Sequence, residues 1–313
     1  MDPITHGLVG GGIAMFSGGQ ASLSDPIFLG SILGSMAPDL DIVMQFRGDV
    51  AYLRHHRGFS HSIPGLGLLS AAIALVLKAI FPQAPLGEIL LWTFLGALSH
   101  TILDVMNSYG AQLFGPLDKR RVTANILQIF DPVLVFLAMG MVVLPNWALF
   151  RPSVAVGVFG LYLVFRYVMR IRLCRRLVNR YRSEGIVRVV VMPAIWGLFT
   201  WDYLVETGSA YIVGQVNFRS CGVMERRCLV KPGYNKVIDA ALESKMGKMF
   251  REFTPYFHVA YYLEGGKHIV KFLDLRYFLK SDFLHSATIV FDQQWELLES
   301  FFHPYNAKRN IKV

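Results

Sequence analysis

The chain has 313 residues, 53% of them hydrophobic and 17% charged, with a net charge of +9. Soluble domains average roughly 25% charged residues, so an ordinary soluble globular protein is excluded. The excess arginine flanks apolar runs, which membrane topology explains more simply than nucleic-acid binding, so no nucleic-acid partner is expected.

Asp2-Pro3 reads as an N-cap followed by proline at the first helical position, which places His6 in the opening turns of a first helix. The run Gly7 to Phe16 carries small residues four apart, a spacing that lets membrane helices approach closely. A polar turn, Ser17 to Asp25, leads into a second run from Pro26 to Ala37. The N-terminus lacks the basic stretch of a cleaved signal peptide, so the first run is expected to be retained. Ile63 to Phe81, Leu86 to about Met106, Phe130 to Leu149 and Ser153 to about Val168 follow as further apolar runs. Since a span needs about 20 residues, the reading is a bundle of about six transmembrane helices, the first two of them short. Arg47, Arg54 and Arg57, then Lys119, Arg120 and Arg121, then the arginines from Arg170 to Arg182, cluster on one side of it. By the positive-inside rule both termini are expected in the cytoplasm.

The sequence divides into a transmembrane helical domain, 1–170, and an α+β cytoplasmic domain, 171–313. In the second, Ile186–Met192, Tyr211–Phe218, Cys228–Lys231 and Ser286–Phe291 read as strands. Phe257–Leu263 and His268–Leu275, joined through Gly265-Gly266, read as a hairpin. Val237–Phe253 reads as one helix and Trp295–Phe302 as a shorter one, while Val189–Trp201 is an apolar piece open to a strand, an interfacial segment or a seventh span. Cys174, Cys221 and Cys228 show no CxxC spacing, which argues against a thiolate zinc site or a disulfide framework and fits a reducing compartment.

The chemistry concentrates where apolar runs end. His56-Arg57-Gly58-Phe59-Ser60-His61 precedes the third run, Pro38-Asp39-Leu40-Asp41 closes the second, and His100 and Asp104 lie four apart in the fourth. On a helix that spacing puts both side chains on one face, and ionisable groups inside apolar spans are functional by default because burying them is costly. In the expected topology His6, Asp39, Asp41, His56, His61, His100 and Asp104 all fall on the cytoplasmic side. Imidazoles and carboxylates together suit a divalent transition metal, Zn first and Mn or Fe next, as one or two ions. A carboxylate, Asp41 or Asp104, can serve as base; Arg57 and Ser60 complete the candidate catalytic set, and Arg57, Asn107, Arg120 and Arg121 are candidates for holding substrate. Asp131 is a candidate for the layer behind the ligands, and His55 is left outside the ligand set.

These motifs carry a resemblance. Met1-Asp-Pro-Ile-Thr-His6, Pro38-Asp-Leu-Asp41, His56-Arg-Gly-Phe-Ser-His61, His100-x3-Asp104 with Asn107-Ser-Tyr-Gly110, and Phe130-Asp131-Pro132 resemble, in order, the YdjM-like family of bacterial inner-membrane metal-dependent hydrolases. Asp274-Leu-Arg276-Tyr277 is similar to the β-rich tail of many members. The resemblance implies a metal-dependent hydrolase in the inner membrane. A fainter likeness of the His/Asp pattern to zinc-dependent phospholipase C and related nucleases points to a phosphoester or lipid-like substrate. Membrane lipids and a phosphorylated substrate are the expected partners, with homo-oligomerisation open. The competing reading from the same ligands is a divalent-metal transporter or sensor; bland outer halves of the spans argue against transport, which needs polar groups near the bilayer midplane.

Overall fold

The computed structural model describes residues 1–40, 58–118, 120–279, 282–304 and 311–312. Among these the chain forms two compact units that part between Val168 and Met169.

The first unit begins with α1 (Pro3–Ala14) and α2 (Pro26–Met36), followed by α3 (Ile63–Ile80), α4 (Leu86–Met106), α5 (Pro132–Val143) and the start of α6 (Pro152–Arg180). Asp-Pro pairs start three of these helices. Asp2 accepts from Thr5 N at 2.9 Å, Asp25 from Ile27 N at 2.9 Å and Asp131 from Val133 N at 3.1 Å. Each carboxylate satisfies an orphan amide of the first turn, and the following proline has no amide to satisfy. Ser62 does the same for α3 through Gly65 N at 3.3 Å.

Of about six expected spans, only α3, α4 and α6 are long and apolar enough to cross a membrane among the described residues. At 1.5 Å per residue, the 12, 11 and 12 residues of α1, α2 and α5 reach roughly 16–18 Å, against about 30 Å of hydrocarbon. The apolar runs are longer than the helices they contain. The first passes into a short 3-10 turn and a left-handed Gly18 (φ 76°), and the run Phe130 to Leu149 loses its helix after Val143. Conversely, the sixth run does not stop at Val168: α6 carries on for 29 residues through the arginines that follow it.

Close backbone packing holds α2 against α4. A Cβ on Gly34 would lie 2.1 Å from the Thr93 carbonyl oxygen, and one on Gly96 would lie 2.2 Å from that of Ser31. Only hydrogen fits between these backbones, so the two glycines set the separation of the helices. Met1, Leu103, Leu127 and Leu134 form a buried apolar cluster beside them.

The second unit contains two larger antiparallel sheets and a two-stranded one. β1 (Ile186–Pro193), β2 (Thr200–Thr207), β3 (Ala210–Asn217) and β4 (Val223–Val230) form a four-stranded meander. Met169, Leu173, Leu177 and Tyr181 at the end of α6 pack on its Val191, Trp201, Tyr203, Val205 and Ile212. α7 (Lys236–Glu243) and α8 (Lys245–Phe253) lead to the second sheet. Its strands are β5 (Phe257–Glu264), β6 (Lys267–Asp274), β9 (His285–Phe291), β10 (Leu297–Pro304) and β11 (Ile311–Lys312), in the order β11-β10-β9-β6-β5. The short pair β7 (Phe278–Leu279) and β8 (Asp282–Phe283) intervenes.

Two sequence expectations change here, and one that was open is settled. Trp295–Phe302 is not a helix: Leu297 onward is a strand whose apolar residues gain by pairing with β9, and tertiary pairing overrides the local pattern. The helix expected over Val237–Phe253 is two, because Ser244 leaves helical geometry and its hydroxyl caps α8 at Gly247 N (3.0 Å). The apolar piece Val189–Trp201 is the end of β1, a turn and the start of β2, and its hydropathy reflects burial on both faces of the sheet: Val191 and Trp201 pack with the end of α6, Val190 and Met192 with Leu273, Leu275 and Phe283.

Candidate metal centre

Four segments of the first unit bring histidines and carboxylates to one buried point. α1 supplies His6, the turn after α2 supplies Asp39, the turn before α3 supplies His61, and α4 supplies His100 and Asp104. His6, His61, His100 and Asp104 are fully enclosed, and only Asp39 reaches the surface, with 18% of its side chain exposed.

The central donors are four. His61 Nε2 and His100 Nε2 are 3.0 Å apart. Asp39 Oδ1 lies 3.7 Å from the first and 3.6 Å from the second. Asp104 Oδ2 lies 3.6 Å and 3.9 Å from the same two nitrogens. Ligands at about 2.0–2.1 Å from a tetrahedral ion are about 3.4 Å from one another; the five separations here run from 3.0 to 3.9 Å.

Hydrogen bonds behind these atoms orient them. The Ser35 carbonyl can only accept, so the neutral His100 ring donates to it from Nδ1 (2.7 Å) and keeps the Nε2 lone pair for the centre. His61 Nδ1 meets the Ser60 hydroxyl at 3.0 Å, and Thr101 donates to the His61 carbonyl at 3.0 Å, tying that turn to α4. The Asp104 carboxylate divides its work. Its Oδ1 takes the Asn107 amide at 3.1 Å and the Met1 amine and lies 3.5 Å from His6 Nε2, beyond a good hydrogen bond, while its Oδ2 faces the two Nε2 atoms. His6 stacks on His100, centroids 3.7 Å apart, and neither of its ring nitrogens makes a hydrogen bond among the described residues. A buried imidazole in that position is costly unless something binds it. Two groups of donors sharing His100 could hold an ion: His6 with Asp39, and His61 with Asp104.

The sequence-derived candidates separate as follows. His6, Asp39, His61, His100 and Asp104 converge, with Ser60 and Asn107 one hydrogen bond behind. Asp41, His56 and Arg57 lie outside the described residues, as does His55. Arg120 is exposed and paired with Asp118 at 2.8 Å. Asp131 caps α5 and accepts from the Tyr162 hydroxyl at 2.8 Å, work that its Asp-Pro setting already announces. Ser35 and Thr101 were not legible as site residues. Ser35 contributes a backbone carbonyl, which carries no residue signature, and Thr101 resembles any other small residue in an apolar run. Arg166, fully buried on α6 with its Nε on the Ile126 carbonyl at 3.0 Å, was not singled out by its sequence setting either.

Three spanning-length helices with a buried His/Asp cluster define a membrane protein with a metal-capable centre. The chain belongs to the YdjM inner membrane protein family, which matches residues 1–173. Residues 236–312 match the YfhP C-terminal alpha/beta plait domain. Over 300 residues the chain is 29% identical to the uncharacterized protein YfhP of Bacillus subtilis (strain 168), covering 92% of this chain and 90% of that one. No solved structure matches.

Proposed function

We propose that this protein is a metal-dependent hydrolase of the bacterial inner membrane that acts on a phosphoester or lipid-like substrate. The observation that supports it is the convergence of His61 Nε2, His100 Nε2, Asp39 Oδ1 and Asp104 Oδ2, with both carboxylate oxygens 3.6–3.9 Å from the two nitrogens and His6 beside them. Two nitrogens and two carboxylate oxygens suit Zn, with Mn or Fe as the alternatives. When bound, such an ion supplies Lewis-acid polarisation of the attacked group and acidifies water towards neutral pH.

The chain's own residues supply the rest. Ser60 and the Ser35 carbonyl hold the His61 and His100 rings by their Nδ1 atoms, so that both Nε2 atoms face the centre. Asp39, the partly exposed member, stands where substrate and water enter. Asp104, or Asp41 outside the described residues, takes the proton of the attacking water; Asn107 holds Asp104 in place for this. Arg57, outside the described residues, with Arg120 and Arg121 are the cations proposed to meet a phosphoryl group; Arg120 is exposed and pairs with Asp118. In this reading the chain is multi-pass, with both termini and the site on the cytoplasmic side.

The test is metal content by mass spectrometry on detergent-purified protein, wild type beside His61→Ala and Asp104→Asn, followed by hydrolysis of phospholipids in mixed micelles. The expected result is about one or two equivalents of a transition metal, lost in both variants together with phosphoester cleavage. No metal after reconstitution with Zn, Mn and Fe would sink the reading. Zinc uptake into liposomes without any cleavage would replace it with a transporter.

A further inference from the structure

The basic run on α6 holds five arginines from Arg170 to Arg180, and their fates differ. Arg170 donates to the Val191 carbonyl at 3.3 Å, and Arg180 sits 5.8 Å from the Tyr181 ring centroid. Arg172, Arg175 and Arg176 make no ion pair among the described residues. With Asn179 they fall at i, i+3, i+4 and i+7, so they share one helix face with neighbours about 5–6 Å apart at Cβ. That face is one wall of a cleft of about 490 Å³; Leu173, Phe218 and Cys221 complete it, and no carboxylate lines it. Charge placement for topology needs only the count of arginines near a span. It does not require a concave, acid-free cleft with an amide and apolar walls.

The cleft's position along α6 narrows its ligand. Pro152 to Met169 contains one charged residue, Arg166, and at 1.5 Å per residue it covers roughly 27 Å, close to the hydrocarbon thickness. Arg172, Arg175, Arg176 and Asn179 lie roughly 4.5, 9, 10.5 and 15 Å beyond Met169 along the helix, so the cleft starts within the headgroup layer, which adds about 5–8 Å on each side, and rises out of it towards water. We propose that this cleft binds the phosphate group of an anionic phospholipid. The guanidinium forks match phosphate oxygens in charge and geometry, the Asn179 amide adds a donor, and Leu173 and Phe218 suit the glycerol and first methylenes. A soluble phosphate offers the same oxyanion without the apolar portion. The site is separate from the His/Asp cluster and stands whether or not that cluster hydrolyses anything.

The test uses full-length protein in nanodiscs of phosphatidylcholine alone or with one-fifth phosphatidylglycerol. Two readouts are followed: lipid retained through detergent exchange by native mass spectrometry, and the alkylation rate of Cys221, which is exposed and lines the cleft. Phosphatidylglycerol should be retained and should slow Cys221 alkylation, with Cys228 as the exposed reference. Arg175→Gln with Arg176→Gln should weaken retention about 100-fold, at roughly tenfold for each charge-assisted hydrogen bond lost. Arg180→Gln with Arg182→Gln removes the same charge outside the cleft and should change retention little. Equal loss in both double variants would mean diffuse charge attraction and would overturn the cleft. Protection of Cys221 by millimolar inorganic phosphate to the same extent would overturn the lipid assignment.

Discussion

The imidazole of His100 shows how one residue can be half legible. Its pairing with Asp104 follows from a four-residue spacing inside an apolar run, but its tautomer is set by the Ser35 carbonyl 65 positions away. His285 in the second unit makes the opposite point, since nothing in the sequence marks it. It is buried against Phe253 and Phe302, with ring centroids at 5.2 and 6.2 Å. Burial holds its pKa down to about 4, with Asp274 opposing and Arg276 adding to the effect. A base with a depressed folded pKa binds fewer protons folded than unfolded. Its contribution is therefore complete above about pH 6.5 and lost as pH falls towards about 4, a loss of about 3 kcal/mol. Asp202 runs the other way: burial raises its carboxyl to about 6, so its cost grows as pH rises from about 4 to about 6. The two offset each other in wild type and separate in a variant. His285→Phe should remove the acid penalty, so its stability relative to wild type should improve between pH 7 and pH 4.5 when read by hydrogen exchange in β9 and β10. Parallel behaviour of the two proteins would show that His285 does not titrate as described.

Among the elements, the α2–α4 contact carries the site. Asp39 follows α2 and His100 sits on α4, so their 3.6 Å separation depends on Gly34 and Gly96 letting the backbones touch. Gly96→Ala puts a methyl group 2.2 Å from a backbone oxygen that cannot rotate away. The helices must part, at a cost of about 1–3 kcal/mol. The thermal midpoint in detergent should fall and metal affinity should weaken with it. Gly67→Ala on α3 meets nothing within 4 Å, and alanine is the better helix former, so that variant should be neutral or slightly more stable. If both variants behave alike, close approach is not what positions the site. The helix starts were readable because an Asp-Pro cap is a local device. The helix ends were not, because apolar composition continues past the point where hydrogen bonding stops.

At the scale of the whole molecule, the described residues contain three helices of spanning length and three antiparallel sheets, of four, five and two strands. The arginines after Met169 lie on the same helix as the preceding apolar stretch, which favours placing that end of α6 in the cytoplasm. Fusions of a fluorescent protein and of alkaline phosphatase to the C-terminus test this. Fluorescence with an inactive phosphatase is expected; an active phosphatase would put the second unit outside and reverse the proposed orientation. The alternation of charge and apolar runs told which half belongs with lipid. Among the described residues it overstated the number of spanning-length helices, since hydropathy counts apolar residues whether or not they lie in one continuous helix.

What the sequence determined by itself was local. It set the division into an apolar and a more polar half, the capped helix starts, the Gly-Gly hairpin turn, and the residue types able to hold a divalent ion. These depend on neighbours within a turn of helix or a few residues of strand. The tertiary structure alone decided that His6, Asp39, His61, His100 and Asp104 meet at one enclosed point, and that Leu297–Pro304 pairs as a strand. It also decided that three arginines of one run face a cleft while two others are spent elsewhere. Such outcomes depend on which backbones can approach and which surfaces are removed from water, and those are properties of contacts between distant segments.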